Sequence, residues 1–375
     1  MIRPYFATVA KGLEAVATLE LEKLGALETR ADVTGVHFQG DQELLYRVNL
    51  WSRLIFRVLM PIFQVRCADS QELYNQTKSL DWSEYISVDQ SFAVHCTGSN
   101  LHLNHTHFTS LQIKNAIVDQ QRDRYCKRSN IDTKQPDVLI NAHIENDSCI
   151  LSLDSSGESL HRRGYHVSMG LAPLKETLAS GIIQIAQYEG QTAFYDPFCG
   201  SGTLPIEAAL KALNIAPGLM RNSFGFETWL DFNEPLWQKL NQEAWSSQYK
   251  NLDHPIGGSD FDIGVLQQAR SNARLCNLEN QISFARRSLD NVEPNSDRGV
   301  LICNPPYGKR IGEEAELSSL YQLLGDVLKH RFKGWTAYVL TGNRALAKSI
   351  GLRTTSRFAL YNGSIPCVLL KYDLY

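Results

Sequence analysis

Three short runs of the chain combine residue types that can hold and orient a ligand. The first is Asp196-Pro197-Phe198-Cys199-Gly200-Ser201-Gly202-Thr203, which follows an apolar stretch and precedes one with helical spacing. Its glycines therefore fall in a strand-to-helix turn, where the backbone can approach a ligand and helix N–H groups point toward it. The run is neither Gly-x-Gly-x-x-Gly nor a P-loop, and an acid at the strand end would repel a pyrophosphate. Asp196 suits a cation instead, such as the α-ammonium of a methionine moiety. The second run, Gly257-Gly258-Ser259-Asp260, also ends in an acid. Asp260 can accept both hydroxyls of a ribose, or it can cap a helix starting near Ile263. The third run is Asn304-Pro305-Pro306-Tyr307, directly after the apolar Val300-Leu301-Ile302-Cys303. Two successive prolines take the chain rigidly out of a sheet.

A rigid exit of that kind would hold the Asn304 carboxamide and a backbone carbonyl as paired acceptors, with Tyr307 offering a face to a planar base. The lone pair of an exocyclic base amine is delocalised into the ring, so the amine is a poor nucleophile. Two acceptors on its N–H bonds would pyramidalise it and turn the lone pair toward a sulfonium methyl group. Catalysis of this type is mostly positioning and needs no strong base, which Asn304 cannot be. Alone, Asn-Pro-Pro-Tyr is also compatible with an ordinary rigid turn. A glycine turn and a spaced acid upstream favour the chemical reading.

The elements that must position these runs are legible in the periodicity. Strands are expected at 192–195, 256–259, 282–285, 300–303 and 337–340, alternating with helices at 204–213, 263–275 and 317–332. That rhythm predicts a mostly parallel sheet with helices on both faces. Residues 358–361 and 367–372, around Asn362-Gly363-Ser364, read as a closing antiparallel hairpin. The aromatic-rich stretch 214–254 interrupts the rhythm and reads as a helical insertion whose rings pack rather than stack on bases. Upstream, residues 1–64 read as a compact α+β unit. Its helix carries Leu13, Val16, Ala17, Leu21 and Leu24 and stops at Gly25. Residues 65–160 mix short helices, a helix over 109–125, and a hairpin around Glu145-Asn146-Asp147. The glycine-containing polar stretch 154–164 marks the boundary before a third unit, 161–375.

Residues 196–203 resemble the first motif of class I S-adenosylmethionine-dependent methyltransferases, and Asn304–Tyr307 resembles the signature of those acting on planar amino nitrogens. Leu160-His161-Arg162-Arg163-Gly164-Tyr165 and Ala172-Pro173-Leu174-Lys175-Glu176-Thr177-Leu178-Ala179 narrow the likeness. So do Ile215-Ala216-Pro217-Gly218 and Phe224-Gly225-Phe226-Glu227. Together they are similar to the THUMP-containing RNA guanine-N2 methyltransferases, over essentially the whole chain. The resemblance implies a Rossmann-like α/β methyltransferase domain behind an α+β ferredoxin-like plus THUMP module that holds RNA. Members like this act on large-subunit ribosomal RNA. It implies S-adenosylmethionine as cofactor and Thr177 on a cofactor-facing helix; several bacterial members carry a second methyltransferase half, and a single one is expected in this sequence. The family's acid near the cofactor adenine aligns at Ser288, with Asp290 two residues on.

Composition sets the outer bounds. The 375 residues carry a net charge of −3, with 43% hydrophobic and 21% charged residues, as in ordinary globular chains. RNA binding therefore needs a local basic face. Lys114, Arg122, Arg124, Lys127, Arg128 and Lys134 supply one, interleaved with Asp119, Asp123 and Asp132, and Arg162-Arg163 adds to it. A solvated charged helix is the alternative. Eight scattered cysteines without a C-x-x-C pair suggest free thiols in a reducing cytoplasm. His102, His105 and His107 lack the partners of a metal site and read as surface or RNA-contacting residues. Neither a signal peptide nor a membrane span is expected. Competing functions are a transfer RNA guanine-N2 or adenine-N6 nucleic-acid methyltransferase, a glutamine-N5 protein methyltransferase, and an RNA-binding protein with an inactive methyltransferase fold.

Overall fold

The computed structural model of the protein describes residues 1–165, 174–308 and 314–375. Ala172 and Pro173, quoted above, lie outside them. The N-terminal part contains strands β1 (Arg3–Val9), β2 (Leu27–Asp32), β3 (Gly35–Gly40), β4 (Ile55–Arg66), β5 (Ser91–Ser99), β6 (Asn130–Ile131), β7 (Val138–Glu145) and β8 (Ser148–Asp154). Between them run helices α1 (Glu14–Leu24), α2 (Gln42–Trp51), α3 (Ser70–Ser79) and α4 (Thr106–Tyr125). All eight strands belong to one sheet, in the order β2-β3-β1-β4-β8-β7-β5-β6. The expected division at 64/65 falls inside β4, whose first half pairs with β1 while its second half pairs with β8. Gly25 ends α1 in the left-handed region at φ 101°.

The second sheet is built from β9 (Ala193–Asp196), β10 (Ile256–Asp260), β11 (Ile282–Arg286), β12 (Gly299–Cys303), β13 (Thr336–Thr341), β14 (Ser356–Asn362) and β15 (Ile365–Asp373). Helices α5 (Glu176–Ile185), α6 (Thr203–Ala212), α7 (Glu234–Ser246), α8 (Ile263–Leu275), α9 (Glu314–Arg331) and α10 (Arg344–Ser349) accompany them. The strand order is β11-β10-β9-β12-β13-β15-β14. Strands β9 to β13 pair in parallel, and β15 runs antiparallel between β13 and β14. All four residues of β9 are buried, as a central strand requires.

The insertion belongs to the N-terminal core, not to the second sheet. Phe224, Phe226, Trp229, Trp237 and Leu240 are buried in one cluster with Tyr46, Val48 and Leu50 of α2. The Tyr46 ring stacks on Phe226 at 4.3 Å and meets the Trp237 edge at 5.9 Å. Burying each such ring stabilises by about 1.5–3 kcal/mol, so the insertion clamps the two halves together.

Charge fixes the clamp's register. Arg163 is 1% exposed and donates to Leu160 O and Arg53 O, both at 2.6 Å. Its Nε lies 3.6 Å from Glu207 Oε1 on α6. Glu207 also accepts from Tyr165 Oη at 3.0 Å and from Ser180 Oγ at 2.5 Å. Arg53, on the N-terminal side, donates to Ile215 O at 2.7 Å and Leu210 O at 3.2 Å. Arg221 donates four bonds to carbonyls of Ser156, Glu158, Ser159 and Arg162. Removing one partner of a buried pair strands the other charge. Arg163→Ala is therefore expected to lose about 3–5 kcal/mol of unfolding free energy in denaturant titration. A loss under about 1 kcal/mol, the level of an exposed pair, would contradict that placement.

Candidate active site

Strand order reverses at β9, which has β10 on one side and β12 on the other. Open α/β sheets bind ligands at the carboxyl ends of strands flanking such a reversal. Asp196 ends β9, Asp260 ends β10, and Asn304 follows β12. The three sequence runs thus converge on one edge.

Backbone geometry there is set by the glycines. Gly200 and Gly202 take φ of 51° and 87°, in the left-handed region that favours glycine. Gly200 N–H donates to Asp260 Oδ2 at 3.1 Å, tying the turn to the next strand. Cys199 N–H donates to Ser259 O at 3.0 Å, and Asn272 Nδ2 donates to Ser201 O at 3.0 Å. A Cβ on Gly200 would meet nothing within 4 Å, so the turn faces open space. Pro197, Cys199 and Thr203 are buried beneath it, with Phe198 and Ser201 half-buried. Asp260 does not cap α8. Asp262 does, accepting from Gly264 N–H at 2.7 Å, and Asp260 Oδ1 accepts from Asp262 N–H at 3.1 Å.

Asp196 is 1% exposed, and among the described residues its carboxylate accepts from Phe198 N–H at 2.9 Å. Burial, reinforced by the charge of Asp260, pushes its carboxyl well above the usual carboxylate range. Such a group favours a bound cation. Two further buried polar atoms, Thr177 Oγ1 on α5 and Asn304 Oδ1, have no hydrogen-bond partner among the described residues. At the carboxyl edge of the sheet a ligand can complete their bonding. Phe261, beside Asp260, is 72% exposed and offers an apolar face to an adenine. Asp290 and Ser288 are both exposed in the turn after β11. These residues fit S-adenosylmethionine: an acid for its ammonium, a carboxylate for its ribose, and open backbone between.

Tyr307 is half-buried and anchored. Its hydroxyl accepts from Asn362 Nδ2 at 3.0 Å, and its ring edge lies 2.8 Å from where a Cβ on Gly342 would stand. Burial raises its hydroxyl to about 12, so it stays protonated at neutral pH. Pro305 is buried and Pro306 exposed. Phe261 and Gly342 were not singled out in the sequence, and Asn362 was read only as a hairpin-turn residue. Only Phe261 carries a sequence signal, its adjacency to Asp260.

The cations fare unevenly. Arg163 is removed from the RNA-facing set, because it is buried in the network described above. Arg122 pairs with Asp119 at 3.3 Å, Arg124 with Asp81 at 2.8 Å and Lys127 with Asp89 at 3.3 Å. Arg162 pairs with Glu158 at 2.6 Å. Lys114 bonds Asn115, and Arg128 bonds Ser129 O. Exposed pairs are weak and exchange readily for phosphate. His105 Nδ1 caps α4 at Phe108 N–H, 3.2 Å. Among the described residues no group of three or more His, Cys, Asp or Glu side chains is placed to hold a metal. No described helix is long and apolar enough to cross a membrane.

Strand order and site together define a class I methyltransferase that uses S-adenosylmethionine. Comparison with known proteins gives the family. The profile of the RMKL-like methyltransferase domain matches residues 163–371, that of the THUMP domain 67–154, and that of the RlmL ferredoxin-like domain 4–59. A Synechocystis sp. protein described by name as an RNA methyltransferase is 55% identical, the match covering 100% of this chain and 97% of that one. The ribosomal RNA large subunit methyltransferase K/L of Syntrophotalea carbinolica is 43% identical over 99% of this chain, which spans only 53% of that protein. A methyltransferase solved with SAH superposes with a TM-score of 0.90 at 30% identity, covering 100% and 98% of the two chains. A Listeria monocytogenes protein described as an N6-adenine-specific DNA methylase gives 0.89 at 31% identity, covering 100% and 97%. The chain belongs to the RMKL-like methyltransferase family.

If Asp196 holds the cofactor's ammonium, cofactor binding is expected to depend on pH. Its folded pKa lies above the unfolded one, so ionising it costs stability as pH rises through the folded value, and a bound ammonium offsets that cost. Affinity for S-adenosylhomocysteine should therefore fall as pH is lowered through that value, measured by calorimetry. Asp196→Asn should bind weakly with no such slope, and an unchanged slope would remove Asp196 from the site.

Proposed function

We propose that the protein methylates the exocyclic N2 amine of a guanosine in large-subunit ribosomal RNA. The observation that carries the reading is the buried Asn304 Oδ1, without a hydrogen-bond partner among the described residues, at the reversal of strand order. When bound, the cofactor supplies an electrophilic methyl group. Asp196 holds its ammonium, Asp260 its ribose hydroxyls, and the Gly200–Gly202 turn lets the backbone lie against it, with Thr177 on the opposite wall. Asn304 accepts one N–H of the target amine and turns its lone pair out of the ring plane. Pro305 and Pro306 keep the carboxamide from swinging away, and Tyr307, held by Asn362, presents its ring to an unstacked base.

Ribosomal RNA and the N2 position follow the relatives named for large-subunit methylation and the family resemblance. Residues 1–160 would hold the RNA, through α4 and the exposed sheet edge, and the setting is the cytoplasm. Adenine N6 is the second reading. One acceptor of this kind serves either amine, and a 31% identical structure carries that description.

Asn304→Ala separates binding from turnover. Its S-adenosylhomocysteine affinity should match wild type, while methyl transfer to unmodified large-subunit ribosomal RNA falls about 100-fold or more in kcat. Normal turnover by this variant would sink the assignment.

A further inference from the structure

We propose that Lys11, from the N-terminal module, is a phosphate-binding residue at the mouth of the methyltransferase site. It positions the RNA strand that carries the target base, and it rests on the RNA reading above.

The loop after β1 is planted on the second sheet at two points. Gly12 has a φ of 93°, and a Cβ there would stand 2.4 Å from Ala359 O in β14. Only glycine permits that approach. Leu13 is fully buried in the core of the second sheet, its Cδ1 2.5 Å from where a Cβ on Gly181 of α5 would stand. Lys11 is thereby fixed beside β14, with Nζ 4.8 Å from the centroid of the Tyr361 ring. β14 and β13 both run antiparallel to β15, so β14 ends on the strand edge that carries the site. Tyr361 is followed by Asn362, which donates to the Tyr307 hydroxyl, and Tyr307 lies three residues from Asn304. An N-terminal cation thus sits at the same sheet edge as the groups that hold the base, one residue along β14 from Asn362.

Its charge is uncommitted. Among the described residues Lys11 has no ion-pair partner, whereas Arg122, Arg124 and Lys127 on and after α4 each have one. The nearest acid in sequence, Glu14, is engaged with the N–H groups of Gly12 at 2.7 Å and Thr34 at 3.2 Å. A lysine is a compact point charge on a flexible stem, suited to a single phosphate, and the Tyr361 ring aims the stem. A base drawn out of its stack leaves its flanking phosphates at the pocket rim, within reach of such a group.

Lys11→Met keeps the apolar stem on Tyr361 and removes only the charge. With unmodified large-subunit ribosomal RNA, its KM should rise about tenfold while kcat stays within about twofold, one charge-assisted phosphate contact being lost. The slope of log affinity against log salt should become shallower by about 0.7–0.9, and Lys11→Arg should restore both values. Affinity for S-adenosylhomocysteine should not change. Lys239→Met, on α7 and paired with Glu243 at 3.7 Å, is the control and should behave as wild type. Wild-type KM and salt slope in Lys11→Met, or equal shifts in the control, would overturn the proposal. Wild-type protein that binds this RNA without methylating it would overturn the functional reading alone, and the salt slope would still decide the role of Lys11.

Discussion

A buried ion pair between Arg163 and Glu207 sits where the chain passes from the N-terminal sheet to the methyltransferase sheet. Charges this deep need hydrogen bonds to offset their desolvation, and here Arg163 donates to Leu160 O and Arg53 O while Tyr165 and Ser180 donate to Glu207. Satisfying them demands one relative placement of the two sheets. The aromatic insertion packs against α2 only in that placement, and the loop after β1 reaches β14 only in that placement. An RNA held by the first sheet is consequently presented to the second at a fixed distance.

Within the second sheet a different constraint shapes the chemistry. Reversal of strand order at β9 brings the carboxyl ends of β9, β10 and β12 to one edge, where several polar atoms lack a full set of partners among the described residues. Asp196, Thr177 and Asn304 carry the desolvation cost of burial without a full set of partners. A cationic, donor-rich ligand would relieve that cost at each position. Folding alone would favour satisfied or apolar residues there, which is the physical argument for the proposed binding roles.

Much of this was legible in the sequence. The helix at 263–275 is found at its expected bounds, and the closing hairpin around Asn362-Gly363-Ser364 is present. Periodicity succeeds there because one face of each element is buried. It fails for β2, which is exposed at nearly every residue and gives no alternation, and for α10, which is too short for a helical period. Arg162-Arg163 looked like an exposed basic pair. Burial of the second depends on Glu207, which lies 44 residues away in the chain and is brought near only by the fold. Asp262, not Asp260, caps α8 because Asp260 is already engaged by the glycine turn. Continuity of β4 through both N-terminal units is likewise a property of pairing, which hydrophobic pattern does not encode.

Identifying the methylated base tests the central claim most directly. Unmodified large-subunit ribosomal RNA would be incubated with the protein and isotopically labelled S-adenosylmethionine, digested to nucleosides, and resolved by mass spectrometry. The account predicts label in N2-methylguanosine. Label confined to N6-methyladenosine, or absent from RNA altogether, would contradict it.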